Sequence, residues 1–363
     1  MKKLFVCIVV ITCMIFIPLL GTGFEKGAAK AEAAEGTSKV QKKVVIGFLS
    51  MMMAIVWEQD MEAELKALAN KSNASILTMD SHADPSLQLQ QLDIMIGQGV
   101  NGIVVFIADE KMSKAVANKC NKAKIPVMAE SIRMIDEHGN LVAPCVELDG
   151  YGMGVMCAEW LVKYLKDNNL TGNYGKMALI DLDMPSTWNI HQRANGVYEK
   201  FTELLPDFPK KNIIRANMKM EQGVNAAQQG YDATSTTITA HPEINTWLVI
   251  APNDDQGGGA ARALEQLGLD KNACVVSMGA ESARKEWRKN EDTCWKAAAF
   301  FSAYDCASLV WEGMMKMVRE GVQPDKLWPE YIQKGQKYAL RTFTGTMVTK
   351  ANFREVMGKY AER

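Results

Sequence analysis

The stretch Thr246-Trp247-Leu248-Val249-Ile250-Ala251-Pro252-Asn253-Asp254-Asp255-Gln256-Gly257-Gly258-Gly259-Ala260 decides the fold. Trp247 to Ala251 is a short apolar run, the pattern of a strand buried on both faces in a parallel sheet. Pro252 ends the run, and Asn253, Asp254 and Asp255 stand where the strand hands the chain to a helix. Ala260 to Leu267 has helical spacing, closed by Gly268. In open α/β sheets small molecules are held in the crevice beyond the carboxyl ends of the strands. Asn253 occupies such a position, and its amide offers two donors and an acceptor. The same residue also suits the cap of the following helix. The stretch alone leaves both readings of Asn253 open.

The same grammar runs along the chain. Strand patterns at Val44–Leu49, Ser75–Met79, Gly102–Ile107 and Pro126–Ala129 alternate with helical patterns at Trp57–Lys71, Asp84–Gly97 and Lys111–Lys122. The pattern then restarts. Helices are expected at Met153–Lys166, Trp188–Leu204 and Gln222–Thr239, with strands at Lys176–Asp181, Asn212–Ala216, Trp247–Ala251 and Ala273–Met278. Alternation of this kind builds βαβ units on parallel sheets. A helix to about Asn290, a strand near Ala297–Phe301, a helix from Ser302 to Glu320, a segment near Leu340–Val348 and a helix from Ala351 complete the chain. These last pieces are too few for a third domain and are expected to be shared between two lobes.

The halves also echo each other locally. Gly99 to Asp109, a helix, then Ile125 to Glu130 form one copy; Pro242 to Asp254, a helix, then Ala273 to Glu281 form the other. Each copy has a polar group at the end of its first strand and a glutamate just past its second. Two such lobes facing across a cleft bring those strand ends together, which is a binding architecture.

With 363 residues, 48% of them hydrophobic, and a net charge of −1, the chain has length for about two cored domains and no basic stripe for nucleic acid. Lys2 and Lys3 precede an apolar stretch from Leu4 to Leu20, and Ala31-Glu32-Ala33 offers a small-x-small cleavage site. Residues 1–33 therefore read as a secretory signal peptide, and the mature protein as exported to the periplasm or outer cell surface; an uncleaved anchor is the alternative. Of eight cysteines, Cys7 and Cys13 lie in this leader. The other six show no metal-ligand spacing and read as apolar fillers without a disulfide framework.

At Gly47-Phe48-Leu49 followed by Trp57, again from His241 to Asp254, and in Thr349-Lys350-Ala351-Asn352-Phe353-Arg354, the sequence resembles the periplasmic sugar-binding proteins of ABC importers. Within that family it is most similar to members that bind L-arabinose. The resemblance spans essentially the whole mature chain. It implies a type I periplasmic binding protein fold: α/β, two Rossmann-like lobes with parallel sheets joined by a three-strand hinge. The implied lobes are 44–148 with 300–343 and 149–299 with 344–363, crossing near Glu147–Asp149, Ala299–Phe301 and Thr342–Thr346. It implies a monomer that delivers a sugar to an ABC transporter permease, or a module that presents bound sugar to a membrane receptor or kinase.

The family's sugar contacts carry over in part. Its cleft tryptophan matches Trp57 and its post-strand asparagine matches Asn253. Its lysine after the first strand is Met51 here, and its glutamate before the tryptophan is Ile55. Its Asp-Asp or Asp-Arg pair after the fourth strand is Glu130-Ser131, its helix arginine is His191 with Arg193 two residues on, and its later asparagine and aspartate are Glu281 and Arg284. The ligand expected is therefore sugar-like but not L-arabinose, with one less hydroxylated face.

The candidate site residues are thus Trp57, Glu130, Ser131, His191, Asn253, Glu281 and Arg284. Carboxylates, Asn and Arg suit adjacent hydroxyls, and an aromatic ring covers a sugar's C–H face. Each has a plainer reading: Trp57 packs into its lobe, Glu130 and Glu281 cap helices in solvent, Arg284 pairs with Glu281 three residues away, and His191 is exposed on an amphipathic helix. Met51-Met52-Met53 lines the cleft or tucks under the lobe. Gly150-Tyr151-Gly152-Met153-Gly154 lacks the full dinucleotide fingerprint. Asp181 and Asp183 have metal-like spacing without further acidic partners, and the four histidines are scattered. Neither a catalytic set, a metal site nor a cofactor is expected.

Overall fold

Two six-stranded sheets organise the computed structural model, which describes residues 43–172, 174–218 and 225–362. The first half of the chain supplies β1 (Val44–Ser50), α1 (Val56–Lys71), β2 (Ala74–Asp80), α2 (Pro85–Gly97), β3 (Gly102–Val105), α3 (Ser113–Ala123), β4 (Val127–Glu130) and β5 (Cys145–Leu148). The second supplies α4 (Gly150–Asp167), β6 (Met177–Asp183), α5 (Trp188–Leu204), β7 (Ile213–Asn217), α6 (Ala226–Ala240), β8 (Thr246–Ile250), α7 (Asp254–Gln266), β9 (Ala273–Gly279), α8 (Ala283–Arg288) and β10 (Trp295–Phe300). Then follow α9 (Ala303–Arg319), β11 (Leu340–Phe343), β12 (Thr346–Thr349) and α10 (Phe353–Met357).

The first sheet runs β2-β1-β3-β4-β5-β11, all parallel. The second runs β7-β6-β8-β9-β10-β12, parallel except that β12 is antiparallel to β10. The first five strands of each follow the same doubly wound order, so one unit is built twice. The sixth strand of each sheet comes from the C-terminal segment. The chain changes sheet at Asp149, at Phe301–Ser302 and at Thr344–Gly345, because α4 packs on the second sheet while α9 packs on α1, β3, β4 and β5. The fold is the expected pair of lobes joined by three crossings.

One apolar cluster continues through these crossings, from Ile46 and Phe48 by way of Met153, Phe300 and Phe343 to Leu248 and Val275. A second, with Leu92, Ile103, Val116 and Val127, lies within the first lobe. Local signals act as their chemistry dictates. Asp84 accepts from the N–H groups of Ser86 and Leu87 at 2.8 and 3.1 Å, with Pro85 in the first turn of α2.

Two helices start earlier than their apolar spacing predicts. α7 begins at Asp254 rather than Ala260, since Asn253 caps it and Gly257–Gly259 are helical. These glycines are contact surface: a Cβ on Gly259 would overlap the Ala227 carbonyl oxygen, and one on Gly257 would reach Ser277 Cβ at 2.8 Å. α4 likewise begins at Gly150, where Gly154 lies against the Arg193 carbonyl and Gly196 of α5 against that of Tyr151. Helical periodicity counts large apolar residues and misses faces made of glycine backbone. The leader, residues 1–33, and the expected start of α6 at residues 222–224 lie outside the described residues. The six described cysteines are free and buried, and no described helix is long and apolar enough to cross a membrane.

Candidate functional site at the strand ends

In the first lobe, Glu130 closes β4 and is fully enclosed. Its Oε2 accepts from Ser131 Oγ at 2.5 Å, and Ser131 Oγ accepts from Trp57 Nε1 at 2.9 Å. Three of the expected site residues thus form one hydrogen-bonded chain. Ser131 has φ +59°, a left-handed conformation held by its N–H donating to the Val146 carbonyl at 2.9 Å. The half-buried Trp57 ring stacks on Phe343, with centroids 6.1 Å apart and planes 8° apart, and meets Phe301 at 5.0 Å. It therefore packs on two of the three crossings.

Next to this chain lies Glu58, in the first turn of α1 and fully enclosed. Burial, then the neighbouring Glu130 carboxyl, push its pKa well above the usual range. Burial also raises Glu130, against the hydrogen bond from Ser131. The two carboxyls act on each other's ionisation, yet neither Glu58 oxygen nor Glu130 Oε1 has a partner in hydrogen-bond geometry, and the enclosed Ser50 Oγ has none either.

In the second lobe, Glu281 follows β9 by two residues and is half-buried. Burial and the Asp254 carboxylate push its pKa up to about 8. Arg284, in α8, is 2% exposed, and its Nε and Nη1 have no hydrogen-bond partner. Burial lowers its pKa, opposed by Glu281 and by Asp60 of α1, so the charges of the two lobes meet at this guanidinium. Asn253 Oδ1 accepts from the Gln256 N–H at 3.0 Å, while its Nδ2 has no partner among the described residues. The cap reading therefore holds for the oxygen and leaves the two amide donors free.

His191 stands apart from these groups. Its Nδ1 lies 2.8 Å from Oδ2 of Asp183, which is fully enclosed and whose Oδ1 has no hydrogen-bond partner. Arg215 of β7 lies 3.5 Å from Asp181 and 3.8 Å from Asp183, and burial raises Asp181 against that pairing. The aspartates with metal-like spacing are thus held by an arginine and a histidine. Among the described residues no group of three metal-ligating side chains forms.

The structure brings together Trp57, Ser131 and Glu130 in one lobe, and Glu281 and Arg284 beside Asp254 in the other. Three polar residues at these places are absent from the sequence-based set. Glu58 lies on the apolar stripe of α1 with Met61 and Leu65, so a carboxyl at i of an i, i+3, i+7 apolar series was its signal. Asp60, on the same helix, acts electrostatically on Glu281 and Arg284 of the second lobe. Arg193 is held by Asn189 Oδ1 at 3.2 Å and donates to the Pro252 carbonyl, while Asn189 Nδ2 donates to the Leu148 carbonyl at 2.8 Å. Burial lowers its pKa to about 10. A cavity of about 220 Å³ borders the crossings at Phe300, Ser302 and Gly345, and none of the seven expected site residues lines it.

Residues 46–319 match the family model described as periplasmic binding protein domain. The ABC transporter L-arabinose-binding periplasmic protein of Azospirillum brasilense is 22% identical over 328 residues, covering 89% of this chain and 91% of that protein. The D-ribose/D-allose-binding protein of Pseudomonas aeruginosa is 24% identical over 281 residues, covering 76% and 78%. Among solved structures, the Caulobacter myo-inositol binding protein bound to myo-inositol superposes with a TM-score of 0.68 at 18% identity, covering 89% of this chain and 98% of that one. At that identity the superposition speaks for the fold.

Proposed function

We propose that this chain, which belongs to the periplasmic binding protein domain family, is an extracytoplasmic receptor that captures a sugar-like ligand between its lobes and delivers it to an ABC transporter permease. The lobes are taken as 44–148 with 300–343 and 149–299 with 344–363, closing on one another about the three crossings. The single observation that carries this reading is the set of enclosed polar groups without protein partners at strand ends of both lobes: Glu130 Oε1, Asp183 Oδ1, Arg284 Nε and Nη1. Leaving such groups unpaired costs about 1–3 kcal/mol each. A polyhydroxylated molecule, with donors and acceptors on adjacent carbons, answers carboxylates and a guanidinium together.

Trp57, Glu130, Ser131, His191, Asn253, Glu281 and Arg284 are the proposed ligand-facing residues. Met51 and Ile55, which have no hydrogen-bonding head group, make the corner after β1 apolar, so L-arabinose is disfavoured and a ligand with one less hydroxylated face is preferred. The protein acts as a monomeric binder without turnover, outside the cytoplasm. A thermal-shift panel of L-arabinose, D-ribose, D-allose, xylitol and myo-inositol tests this. A ligand at a hundred times its Kd stabilises by about 2.7 kcal/mol. Stabilisation by at least one neutral polyol supports the proposal; a flat panel that also includes amino sugars and sugar acids contradicts it.

A further inference from the structure

The sugar-binding reading uses Glu130 but leaves the enclosed carboxyl beside it, Glu58, unexplained. Both side chains are fully shielded, and a lone carboxylate so enclosed is neutralised or paired. Among the described residues, the groups that act on them bring no positive charge. From β1 comes the Ser50 hydroxyl, and from β2 comes Asp80, which holds His82 at 3.0 Å on its outer side. From β5 and α9 come the thiols of Cys145 and Cys306, both pushed up by burial and so kept neutral. With no cation among these described groups, two carboxylates here repel, and like charges in one site leave one of them protonated.

The pair is wired to the hinge. Glu130 Oε2 holds Ser131 Oγ at 2.5 Å, Ser131 Oγ holds Trp57 Nε1 at 2.9 Å, and the Trp57 ring lies on Phe343 and Phe301. Phe343 ends β11 and Phe301 follows β10, each at a crossing between lobes. A change of charge at the pair is therefore three contacts from the segments that must bend on closure.

We propose that Glu58 and Glu130 share one proton at neutral pH and that this proton fixes Trp57 at the joint between the lobes, so that its loss loosens the joint and weakens ligand capture. The first clause stands on the full burial of both carboxyls and their mutual electrostatic influence, the second on the Glu130–Ser131–Trp57 hydrogen bonds and the ring contacts; the last rests on the ligand-capture reading above. Glu58 is a positioning residue, acting through Glu130, Ser131 and Trp57.

The test begins without ligand. The emission of the full-length mature protein minus that of Trp57→Phe isolates the one ring, and is followed between about pH 5 and pH 10. The expected result is a transition above the ordinary carboxylate range that Glu58→Gln abolishes. Ser131→Ala, which cuts the wire and leaves both carboxyls in place, removes the transition from Trp57 emission while the part of the melting-temperature pH dependence that Glu58→Gln abolishes persists. An emission that does not titrate, or a transition that survives in Glu58→Gln, overturns the proposal. If Glu58→Gln does not fold, Glu130→Gln and Ser131→Ala decide it by the same criteria. Calorimetry with the best polyol of the panel then reads the last clause: affinity falls across the same transition in the parent and stays level in Glu58→Gln. A pH-independent parent affinity overturns that clause, and a panel with no binder fails the ligand reading while the emission result still stands or falls by itself.

Discussion

Glu130 closes β4 in one lobe and Asp254 opens α7 in the loop region after β8 in the other, and these two buried carboxyls are treated in opposite ways. Asp254 accepts from Ser277 Oγ at 2.5 Å and from the N–H groups of Ser282 and Ala283 at 2.7 and 3.0 Å. Glu130, among the described residues, accepts only from Ser131, lies beside a second carboxyl and leaves Oε1 unanswered. A carboxylate with three donors knits its lobe together, whereas one with an idle oxygen is poised for a group the chain does not supply. Strand-end position by itself does not separate the two roles; the count of partners does.

The largest effect should come from breaking the satisfied member. Asp254→Ala strands the two N–H groups and the Ser277 hydroxyl that also accepts from Trp295 Nε1 at 2.9 Å. The expected loss is on the order of 3–5 kcal/mol in urea unfolding. A change below about 0.5 kcal/mol would erase the contrast. Glu130→Gln removes an underpaired charge and keeps a side chain of the same shape, so stability at neutral pH should change by less than about 1 kcal/mol. Affinity for the panel's best polyol should nevertheless fall about tenfold. A loss of stability equal to that of Asp254→Ala would place both carboxyls in the same class.

pH sharpens the comparison through Glu281. Its pKa is raised from about 4.5 to about 8, so the folded state holds a proton that the unfolded chain releases. That contribution is full below about 4.5 and is lost as pH rises through about 8. The parent should therefore melt progressively lower across this window, and Glu281→Gln should flatten that part of the profile. An unchanged slope in Glu281→Gln would assign the pH dependence elsewhere. The smallest stability effect belongs to Asn253→Asp, which keeps the cap acceptor and removes the two Nδ2 donors. Stability should move by less than about 0.5 kcal/mol, while polyol affinity drops; equal affinity would leave Asn253 a cap only.

The fold was legible because its determinants are local and repeated. Trp247 to Ala251 and its counterparts are apolar runs of strand length, and the turn residues between them stand where the chain reverses. The early starts of α4 and α7 were not legible, because Gly154 and Gly259 serve as packing surface whose partners, Arg193 and Ala227, are distant in sequence. Trp57, Ser131 and Glu130 could be named from strand-end logic and resemblance, but not their wiring to Phe301 and Phe343, which depends on how the crossings fold back. Glu58 is hidden by its neighbours: it stands directly after Trp57 and one turn past Ile55, on a stripe shared with Met61 and Leu65 that reads as apolar. Whether Asp254 or Glu281 is satisfied is a matter of tertiary donors that no spacing reveals.

Arg284 carries the central claim in its purest form, as a guanidinium 2% exposed with Nε and Nη1 unpartnered. The direct measurement is calorimetric titration of the parent and of Arg284→Met with the best polyol of the panel, alongside their melting temperatures. Hydrogen bonds to charged groups contribute about 1.5–3 kcal/mol, so affinity should fall between about tenfold and more than a hundredfold. The melting temperature of the free protein should change little, since the guanidinium removed has no hydrogen-bond partner at Nε or Nη1. An Arg284→Met protein that binds as tightly as the parent, or that loses stability without losing affinity, would contradict the account.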